Sequence, residues 1–539
     1  MSLRHPADVV GAAALLALVA SYAATFLDFS RHPEEDAAML LRYSRHLAQG
    51  HGVVWNVGEA PVDGATDLLF MALVGLLHRL GLGLESAARG VALGAHAATV
   101  LAVYASIRRL FGAPAWLALV PAAYLAAGTG PRYAAALYGT PLFALVAAIA
   151  GHAAWRTVQA EPARLERCAR ALGLLSVLMG IARPEGALLG LLFLAGALLA
   201  RGSRDARALL AGFATGFVLP GLAYFAWRWW YFGHPLPNPF YRKGGGVLHW
   251  DVLERSFRNV LRLGGPFLAV LASGVPWRPT RRLALAALVP VAGFTAMWVL
   301  VSDETNYFMR FRYPILPVVL VSWVPVAQAF ATRLRPRRPA SGRGAMGWWA
   351  AGLVGAAALV AWQHRRFEHI EPQRMGLFDV ATLLREHAEG GYTIATTEAG
   401  LLPLYSEWRA VDAWGLNDAW IAHHGGITED YLERYRPEVM AFHAYFSPAV
   451  PPAEAGARER GLGPAWFDMV MTMQRYAVSR GYTLAAVFGR HPRDTHYYYV
   501  RPGFPESEAL AARIRGLRYL WNGHPAHDYT PDSPDAGRP

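Results

Sequence analysis

Repeated apolar runs are the feature that most limits how this chain can fold. A helix that crosses a bilayer needs about 20 apolar residues, and about eleven runs reach or approach that length. They span residues 9–27, 87–107, 113–128, 139–157, 170–182, 186–200, 208–231, 263–277, 283–301, 313–330 and 346–362. Only 17% of the 539 residues are charged, whereas soluble domains average about 25%. The sequence therefore predicts a polytopic α-helical membrane protein with about eleven transmembrane helices.

The positive charges of the chain indicate its orientation in the membrane and not a nucleic-acid partner. The net charge of +12 comes largely from arginines in short clusters between the apolar runs, and such clusters favour the cytoplasmic side. This places the N-terminus inside and residues 363–539 outside the cytoplasm. The short apolar stretch Leu68–Leu80 would break the alternation if it crossed, so it is predicted to be interfacial or re-entrant. We expect the lipid bilayer as a partner and no nucleic acid.

Composition divides the chain into three parts. The predicted parts are a transmembrane domain at 1–362 with a large external loop at 28–86, an extracytoplasmic α/β domain at 363–528 and a disordered tail at 529–539. The second part is more charged, and alternating runs such as Thr483–Val487 and Tyr497–Val500 predict strands. The last part is rich in proline and aspartate, which is typical of disorder.

Disulfide and metal chemistry have little support in the sequence. The single cysteine, Cys168, excludes an intrachain disulfide and a paired-cysteine metal site. His423 and His424 are adjacent and so project differently, and neither HxxxH nor HExxH occurs. We therefore predict no cofactor, although a divalent cation is compatible with the chain.

A cluster of three acids follows the first apolar run. Glu34, Glu35 and Asp36 lie at the start of the first external loop, and Arg42-Tyr43 follows six residues after Asp36. A carboxylate at this position suits a base that takes a proton from an acceptor, and a nearby cation suits a phosphate. Alternatively, the acids cap a helix and form a solvated face, because the helix dipole favours negative charge there. Both interpretations stay open at this stage.

The pentapeptide ARPEG at 182–186 puts two charges between two apolar runs. Charges at membrane depth are costly unless they are paired or line a cavity, so Arg183 and Glu185 are candidate site residues. The alternative is a structural ion pair that braces the helix break at Pro184.

Two external segments carry cations against the positive-inside tendency. YFGHPLPNPFYRK at 231–243 supplies Lys243, which could bind a lipid phosphate. A later segment supplies Arg310, which could stabilise charge on a leaving group. For Arg310 the alternative is a surface ion-pair network with Asp303 and Glu304.

Five sequence elements together carry a resemblance to a known family. They are EDAAMLLRYSRHLAQGHGVVWNVGEAPVDGAT at 35–66, ARPEG at 182–186, YFGHPLPNPFYRK at 231–243, RFRYPILP at 310–317 and EAGLLPLYSEWRAVDAWGLND at 398–418. In these elements the chain resembles the GT-C glycosyltransferases, polytopic enzymes that take sugars from polyprenyl-phosphate donors outside the cytoplasm. More narrowly, it resembles the terminal β-(1→2)-arabinofuranosyltransferases of cell-wall arabinan and their bacterial relatives.

The resemblance implies a sugar transfer at the outer face of a bacterial inner (cytoplasmic) membrane. The donor would be a polyprenyl-phosphate sugar, with arabinofuranose expected, and the acceptor a glycan or protein. Asp36 would be the catalytic base, helped by Glu35. The residues implied for the donor phosphate and lipid are Arg183, Lys243, Arg310, Arg42 and Tyr241. Those implied for the acceptor or sugar are Tyr43, His51, Trp55, Asn56, Glu185, Asn238, Glu398, Asp412, Asn417 and Asp418, of which the last four are alternatively residues that hold the second domain together.

Two positions depart from the family pattern. The first acid of the family's Asp-Asp pair is Glu35 here, so the catalytic role passes to Asp36. Gly139 stands where the family usually has a glutamate, and the function of that glutamate must be absent or supplied elsewhere. Two other functions are compatible with the sequence. One is a flippase or transporter for lipid-linked sugars, which usually shows an internal repeat that we do not find. The other is a non-catalytic scaffold derived from the enzyme.

Overall fold

The computed structural model describes residues 6–244, 248–300, 306–334, 342–367, 374–455 and 463–535. The first part of the chain, called the helical domain, contains fifteen α-helices. They are α1 (Pro6–Phe26), α2 (Glu35–Ala48), α3 (Leu68–Arg79), α4 (Leu84–Phe111), α5 (Ala115–Ala126), α6 (Gly130–Ala135), α7 (Thr140–Val158), α8 (Pro162–Ala182), α9 (Glu185–Arg201), α10 (Ala206–Phe232), α11 (Asp251–Ser273), α12 (Arg278–Ala296), α13 (Leu316–Ser322), α14 (Val324–Leu334) and α15 (Gly342–Phe367).

Six helical segments of the described chain are long and apolar enough to cross a membrane. They are Pro6–Thr25, Leu84–Phe111, Thr140–Val158, Ser203–Phe232, Arg278–Leu300 and Tyr307–Arg333. This confirms a polytopic helical membrane protein, with fewer such segments than the predicted number of about eleven. The other apolar runs also form helices, but α5 has only 12 residues and α9 only 17. In α8 the first half carries charges, because Arg164, Glu166 and Arg167 belong to it.

The stretch that broke the predicted alternation forms the short helix α3. Its 12 residues are too few to cross a bilayer, and α3 packs between α2 and α4. A Cβ on Gly75 would lie 2.9 Å from the carbonyl oxygen of Ser44, so this glycine lets α2 and α3 approach closely. The acids at the start of α2 are therefore held on a packed helix pair. The interfacial location of α3 stays a prediction.

The second part of the chain, called the sheet domain, confirms the predicted α/β domain. Its elements are α16 (Gly376–Arg385), β1 (Thr393–Thr396), α17 (Leu401–Ser406), β2 (Arg409–Asp412), α18 (Ala419–His423), α19 (Glu429–Tyr435), β3 (Val439–Ala444), α20 (Pro452–Ala455), α21 (Pro464–Ser479), β4 (Thr483–His491), β5 (Asp494–Val500), α22 (Ser507–Arg515), β6 (Leu520–Trp521), β7 (His524–Pro525) and β8 (His527–Asp528). The main sheet has the order β2-β1-β3-β5-β4-β8, with β1 parallel to both neighbours and β5 antiparallel to its own.

Both ends of the sheet domain differ from the boundaries drawn on the sequence. Helix α15 runs to Phe367, so the boundary at residue 362 falls inside a helix. At the other end, Tyr529 and Thr530 are buried, and Val487 N–H donates to Thr530 Oγ1 at 3.0 Å. These two residues belong to the packed domain and not to a disordered tail, because they complete the hydrogen bonding beside β4. Residues 536–539 of the predicted tail lie outside the described residues.

The two domains share hydrogen bonds along the edge strand β2. The side chain of Asn56 bonds both backbone groups of Ala410, accepting from its N–H at 2.9 Å and donating to its carbonyl at 3.0 Å. Trp55 Nε1 donates to the same carbonyl at 3.0 Å. The amide of Asn56 thus forms the hydrogen bonds that a neighbouring strand would form. It satisfies backbone groups on the outer edge of β2 that no strand of the described chain pairs with. This contact fixes β2 of the sheet domain against the segment that follows α2.

Candidate active site

A cavity of about 580 Å³ lies between the start of α2 and the sheet domain. Among its lining residues are Glu34, Glu35, Asp36 and Lys243 from the helical domain and Glu398, His443, Asp494 and His496 from the sheet domain. Glu398 follows β1, whose parallel neighbours are β2 and β3. Ligands of α/β sheets commonly bind beyond the carboxyl ends of parallel strands, and this cavity occupies such a position.

Asp36 and Arg310 form an ion pair beside this cavity. The guanidinium of Arg310 also lies over the ring of Tyr138, 4.3 Å from its centroid, and 4.9 Å from that of Phe311. Burial of the Asp36 carboxyl raises its pKa, but the positive charges of Arg310 and Lys243 outweigh burial and hold that pKa below its ordinary value. Asp36 is therefore a carboxylate at neutral pH. The predicted base and two of the predicted phosphate ligands lie close together.

Arg183 lies next to this pair and is held by two carboxylates. Its guanidinium donates to Asp67 at 2.7 Å and to Glu185 at 2.5 Å, and it lies 5.3 Å from the ring centroid of Phe311. Arg183 and Arg310 therefore contact the same aromatic ring. The Arg183–Glu185 pair at the helix break is the structural alternative stated from the sequence, and the geometry supports it. The second carboxylate, Asp67, was not identified from the sequence.

Gly139, the position where a glutamate was expected, lies against the same carboxylate. A Cβ at Gly139 would be 2.9 Å from Phe70 and 3.1 Å from Asp67 Oδ2. A larger side chain would displace both residues, so glycine is required for this arrangement. Asp67 therefore places a carboxylate between Gly139 and Arg183.

Glu35 connects the base to the sheet domain. Its carboxylate accepts hydrogen bonds from Gly400 N–H at 2.5 Å and from Leu401 N–H at 3.0 Å. A Cβ on Gly400 would overlap the carbonyl oxygen of Glu35, so only glycine fits there. Burial, reinforced by the neighbouring Glu398, raises the pKa of Glu35. Glu35 therefore positions the sheet domain beside Asp36, and the helper role inferred for it remains a prediction.

Glu34 does not act as the helix cap that the sequence allowed. It precedes α2, and its side chain makes no capping hydrogen bond within the described residues. Burial and the charge of Asp36 raise its pKa to about 7. Glu34 is thus a cavity residue that can carry a proton near neutral pH.

Arg42 and its neighbours lie outside the cavity, contrary to their inferred roles in donor or acceptor binding. The guanidinium of Arg42 donates to the carbonyl oxygens of Trp55 at 2.9 Å, of Trp408 at 3.0 Å and of Pro403, and to Asn56 Oδ1 at 3.1 Å. It cannot bind a phosphate because it is buried and surrounded by these acceptors. Trp55 and Asn56 are likewise occupied by β2, so all three join the domains.

Other inferred residues stabilise turns or lie at a distance. Asp412 lines the cavity, but its carboxylate accepts from the N–H groups of Trp414, Gly415 and Asn417, and burial raises its pKa to about 6. Tyr43 donates to Asn417 Oδ1 at 3.0 Å, and Asp418 caps α18. These contacts support the alternative in which the residues hold the domain together.

Three more inferred residues are not among those that line the cavity. His51 is exposed and lies just after the C-terminal end of α2. The ring of Tyr241 packs on His423, with 4.4 Å between centroids, and buried Asn238 donates its N–H to the carbonyl of Asp63 at 3.0 Å. Of the inferred residues in the segment 231–243, Lys243 lines the cavity, and its phosphate-binding role stays a prediction.

Glu398 differs from the other inferred acceptor residues because it meets two histidines. His443 Nδ1 lies 3.7 Å from Glu398 Oε1, and His496 Nε2 lies 4.0 Å from the same oxygen. Burial lowers the pKa of His443, but the hydrogen bond to Asp494 and the charge of Glu398 outweigh this and raise it. Sequence reasoning missed these histidines, which lie on different strands. Only the pairing of β3 with β5 brings them together.

Comparisons with known proteins agree with this architecture. A family described as a domain of unknown function (DUF8728) matches residues 362–501. Among curated proteins we find no match to the sequence.

Solved structures match over nearly the whole chain. ArnT from Cupriavidus metallidurans bound to undecaprenyl phosphate superimposes with a TM-score of 0.56 at 14% identity, covering 94% of this chain and 99% of ArnT. Apo ArnT gives 0.54 at 15% identity, covering 94% and 98%. The oligosaccharyltransferase AglB from Archaeoglobus fulgidus, in complex with an inhibitory peptide and a dolichol-phosphate, gives 0.50 at 11% identity, covering 91% and 74%. The chain therefore has the GT-C fold, as the motif resemblance predicted.

Proposed function

We propose that this protein is a membrane glycosyltransferase that moves a sugar from a polyprenyl-phosphate donor to a glycan or protein acceptor. The observation that carries the proposal is the Asp36–Arg310 pair at a cavity between a membrane-spanning domain and a sheet domain. The similarity of the fold to ArnT and AglB supports it, since those structures hold undecaprenyl phosphate and a dolichol-phosphate. We place the cavity at the outer face of a bacterial inner membrane, as the arginine clusters predict.

The donor phosphate would bind among the cations at the membrane side of the cavity. Lys243 lines the cavity, and Arg310 is fixed by the rings of Tyr138 and Phe311. A guanidinium held in this way presents its donors to a phosphate with little loss of freedom. Arg183 lies next to Arg310 but is paired with Asp67 and Glu185, so its role is to add positive charge rather than to contact the phosphate. The lipid tail would lie between the apolar helices.

The transfer follows from an exchange of partners at Arg310. A bound phosphate would take the guanidinium of Arg310 and release the carboxylate of Asp36 into the cavity. Asp36 then accepts the proton of an acceptor hydroxyl, whose oxygen forms a bond to the anomeric carbon. The bond between that carbon and the lipid-phosphate oxygen breaks, and the negative charge on the departing phosphate is stabilised by Arg310 and Lys243.

The sugar that we propose is arabinofuranose. Its support is the motif resemblance, above all the segments 35–66 and 398–418, and not the fold. The cavity of about 580 Å³ has room for a sugar and part of an acceptor.

Replacement of Asp36 by asparagine tests the proposal. The protein in proteoliposomes receives a radiolabelled polyprenyl-phosphate pentose, and labelled acceptor is measured. Loss of a positioned base costs about a hundredfold to ten-thousandfold in rate, so the transfer rate of Asp36→Asn should fall by that amount. Because Asp36 pairs with the buried guanidinium of Arg310, the melting temperature should also fall, and the rate is therefore compared at a temperature where both proteins are folded. The matched control is Asp430→Asn, which removes an exposed aspartate of α19.

Undiminished transfer by Asp36→Asn would exclude the assignment of the base. The same preparation, given pentose and hexose donors side by side, tests the sugar. A transporter would move the labelled lipid across the bilayer without forming a glycosidic bond, and a scaffold would do neither.

A further inference from the structure

We propose that Glu398, His443 and His496 form a binding site for one divalent transition-metal ion such as Zn²⁺. The three side chains lie on the wall of the cavity that also contains Asp36. The ion would be bound by the sheet domain and would face the ion pair of Asp36 and Arg310. This binding does not depend on the proposed transfer reaction and can be measured without it.

The geometry of the three ligand atoms supports the site. One ligand atom from each residue lies within 4.8 Å of the other two, with Glu398 Oε1 3.7 Å from His443 Nδ1 and 4.0 Å from His496 Nε2. Ligand atoms in a tetrahedral zinc site, at about 2.1 Å from the metal, are separated by about 3.4 Å. The two distances from Glu398 exceed this separation by only a few tenths of an ångström, and the two histidine nitrogens lie within 4.8 Å of one another, so small side-chain rotations would bring the three atoms to coordination distance.

These polar atoms face one another without being hydrogen bonded. The separations of 3.7 Å and 4.0 Å exceed the length of a hydrogen bond. Glu398 Oε1 accepts one long hydrogen bond, from Thr397 Oγ1 at 3.4 Å, and a carboxylate oxygen can accept more than one. A metal ion is a partner that bonds all three.

Each histidine has a partner that orients its other nitrogen. His443 Nε2 is 2.6 Å from Asp494 Oδ1, and His496 Nδ1 is 2.6 Å from the hydroxyl of Tyr519. A carboxylate that accepts from the outer nitrogen leaves the inner nitrogen as a lone pair, which is the form that binds metal. Metal-ligating histidines almost always have an outer partner of this kind. The arrangement is therefore more complete than a chance meeting of three polar residues.

The ligand set indicates the kind of ion and what it could bind. Two imidazoles and one carboxylate suit Zn²⁺ better than Mg²⁺ or Ca²⁺, which prefer oxygen ligands alone. Three protein ligands leave a position open in the coordination sphere, as in zinc sites that bind a substrate. That position would accept an oxygen of a molecule in the cavity, either a hydroxyl or a carboxylate. On the proposed function, in which the cations beside Asp36 hold the donor phosphate, the molecule bound here would be the acceptor.

Zinc titration of the purified full-length protein tests the site. The protein is prepared in detergent through a tag without histidine, stripped with chelator and titrated with Zn²⁺ by calorimetry. We expect one ion per chain. Glu398→Gln and His443→Gln each remove a proposed ligand and should weaken zinc binding by at least a hundredfold. Loss of a hydrogen-bond partner on the outer nitrogen of a ligand costs less, roughly tenfold to hundredfold in affinity. Asp494→Asn should show that smaller loss.

The control is His491→Gln, which removes an exposed histidine from β4 of the same sheet and should bind as tightly as the unaltered chain. Melting temperatures without zinc report whether each variant folds, and Asp494 is the safest position because its side chain is 43% exposed. The proposal is overturned if the unaltered chain binds less than one zinc ion. It is also overturned if Asp494→Asn and His443→Gln bind zinc as tightly as His491→Gln. Either result would leave the transfer assay with Asp36→Asn unaffected.

Discussion

The N-terminal end and the middle of helix α2 have different environments although they belong to one sequence motif. At the N-terminal end, Asp36 lines the cavity and pairs with Arg310. Six residues later, Arg42 is surrounded by carbonyl oxygens of both domains. Six residues of an α-helix make one full turn plus about 240°. The side chains of Asp36 and Arg42 therefore point to different faces of α2. One face contributes to the chemistry of the cavity and the other fixes the domain above it.

Two residues that are close together in a sequence motif therefore need not belong to the same site. The cation that pairs with Asp36 comes from a segment 274 residues away, and not from the same helix. Arg42 is needed because the sheet domain must stay in register with α2, which carries both Glu35 and Asp36. The following variants separate the two roles, in order of decreasing expected effect.

Arg310→Gln should have the largest effect of the three. It removes a donor to the developing phosphate charge, and loss of such a donor costs about a hundredfold to a thousandfold in rate. Arg310 also lowers the pKa of Asp36, so without it that pKa rises. The fall of kcat/KM at acid pH should therefore begin at a higher pH, and Arg310→Lys should restore part of the rate.

The control for this charge change is Arg258→Gln, which removes an arginine that is 55% exposed on α11. Its pH profile should match that of the unaltered protein. An Arg310→Gln profile that stays in place while the rate falls would show that Asp36 is not the titrating base.

Arg42→Met should destabilise the protein while leaving the rate of the folded fraction nearly unchanged. The change leaves buried carbonyl groups of both domains without a donor, at a cost of roughly 1–3 kcal/mol for each. Melting temperature in detergent and protease cleavage between the domains report this loss.

Arg45→Met is the matched change one turn further along α2. Arg45 is 16% exposed, pairs with Glu407 and donates to one backbone carbonyl, that of Leu404, at 2.7 Å, so its loss should cost less than the loss of the three carbonyl bonds of Arg42. If Arg42→Met keeps its melting temperature but loses binding of the lipid donor, Arg42 belongs to the phosphate site after all.

Glu34→Gln should have the smallest effect, and one that depends on pH. The pKa of Glu34 rises from 4.5 to about 7 on folding, first through burial. Since the folded state binds this proton more tightly, Glu34 contributes stability below pH 4.5 that is lost as the pH rises through 7. The glutamine variant should therefore melt a few degrees higher than the unaltered protein at pH 8, with the difference shrinking toward pH 5.

Glu254→Gln is the control, because Glu254 is 81% exposed. Equal melting temperatures of Glu34→Gln and the unaltered chain at pH 8 would mean that Glu34 keeps its charge in the cavity.

Much of the fold could be predicted from the sequence because its signals are local. Apolar runs became helices, and alternating runs such as Thr483–Val487 became strands. The number of spans was predicted less well, since α5 with 12 residues and α9 with 17 are both shorter than the about 20 residues that a bilayer crossing needs. The candidate site was predicted in part. Asp36, Lys243 and Arg310 lie close together as expected. Arg42, Trp55 and Asn56 belong to the same motif, but their contacts join the two domains.

Composition and continuous motifs were enough to indicate that the chain enters a membrane, that a sheet domain follows, and that Asp36 is the acid to test. The partners of these residues became known from the folded structure. Asp67 meets Arg183 from 116 residues away, and His443 meets His496 through the register of two antiparallel strands. Such pairs follow from packing and strand register, which no single segment encodes.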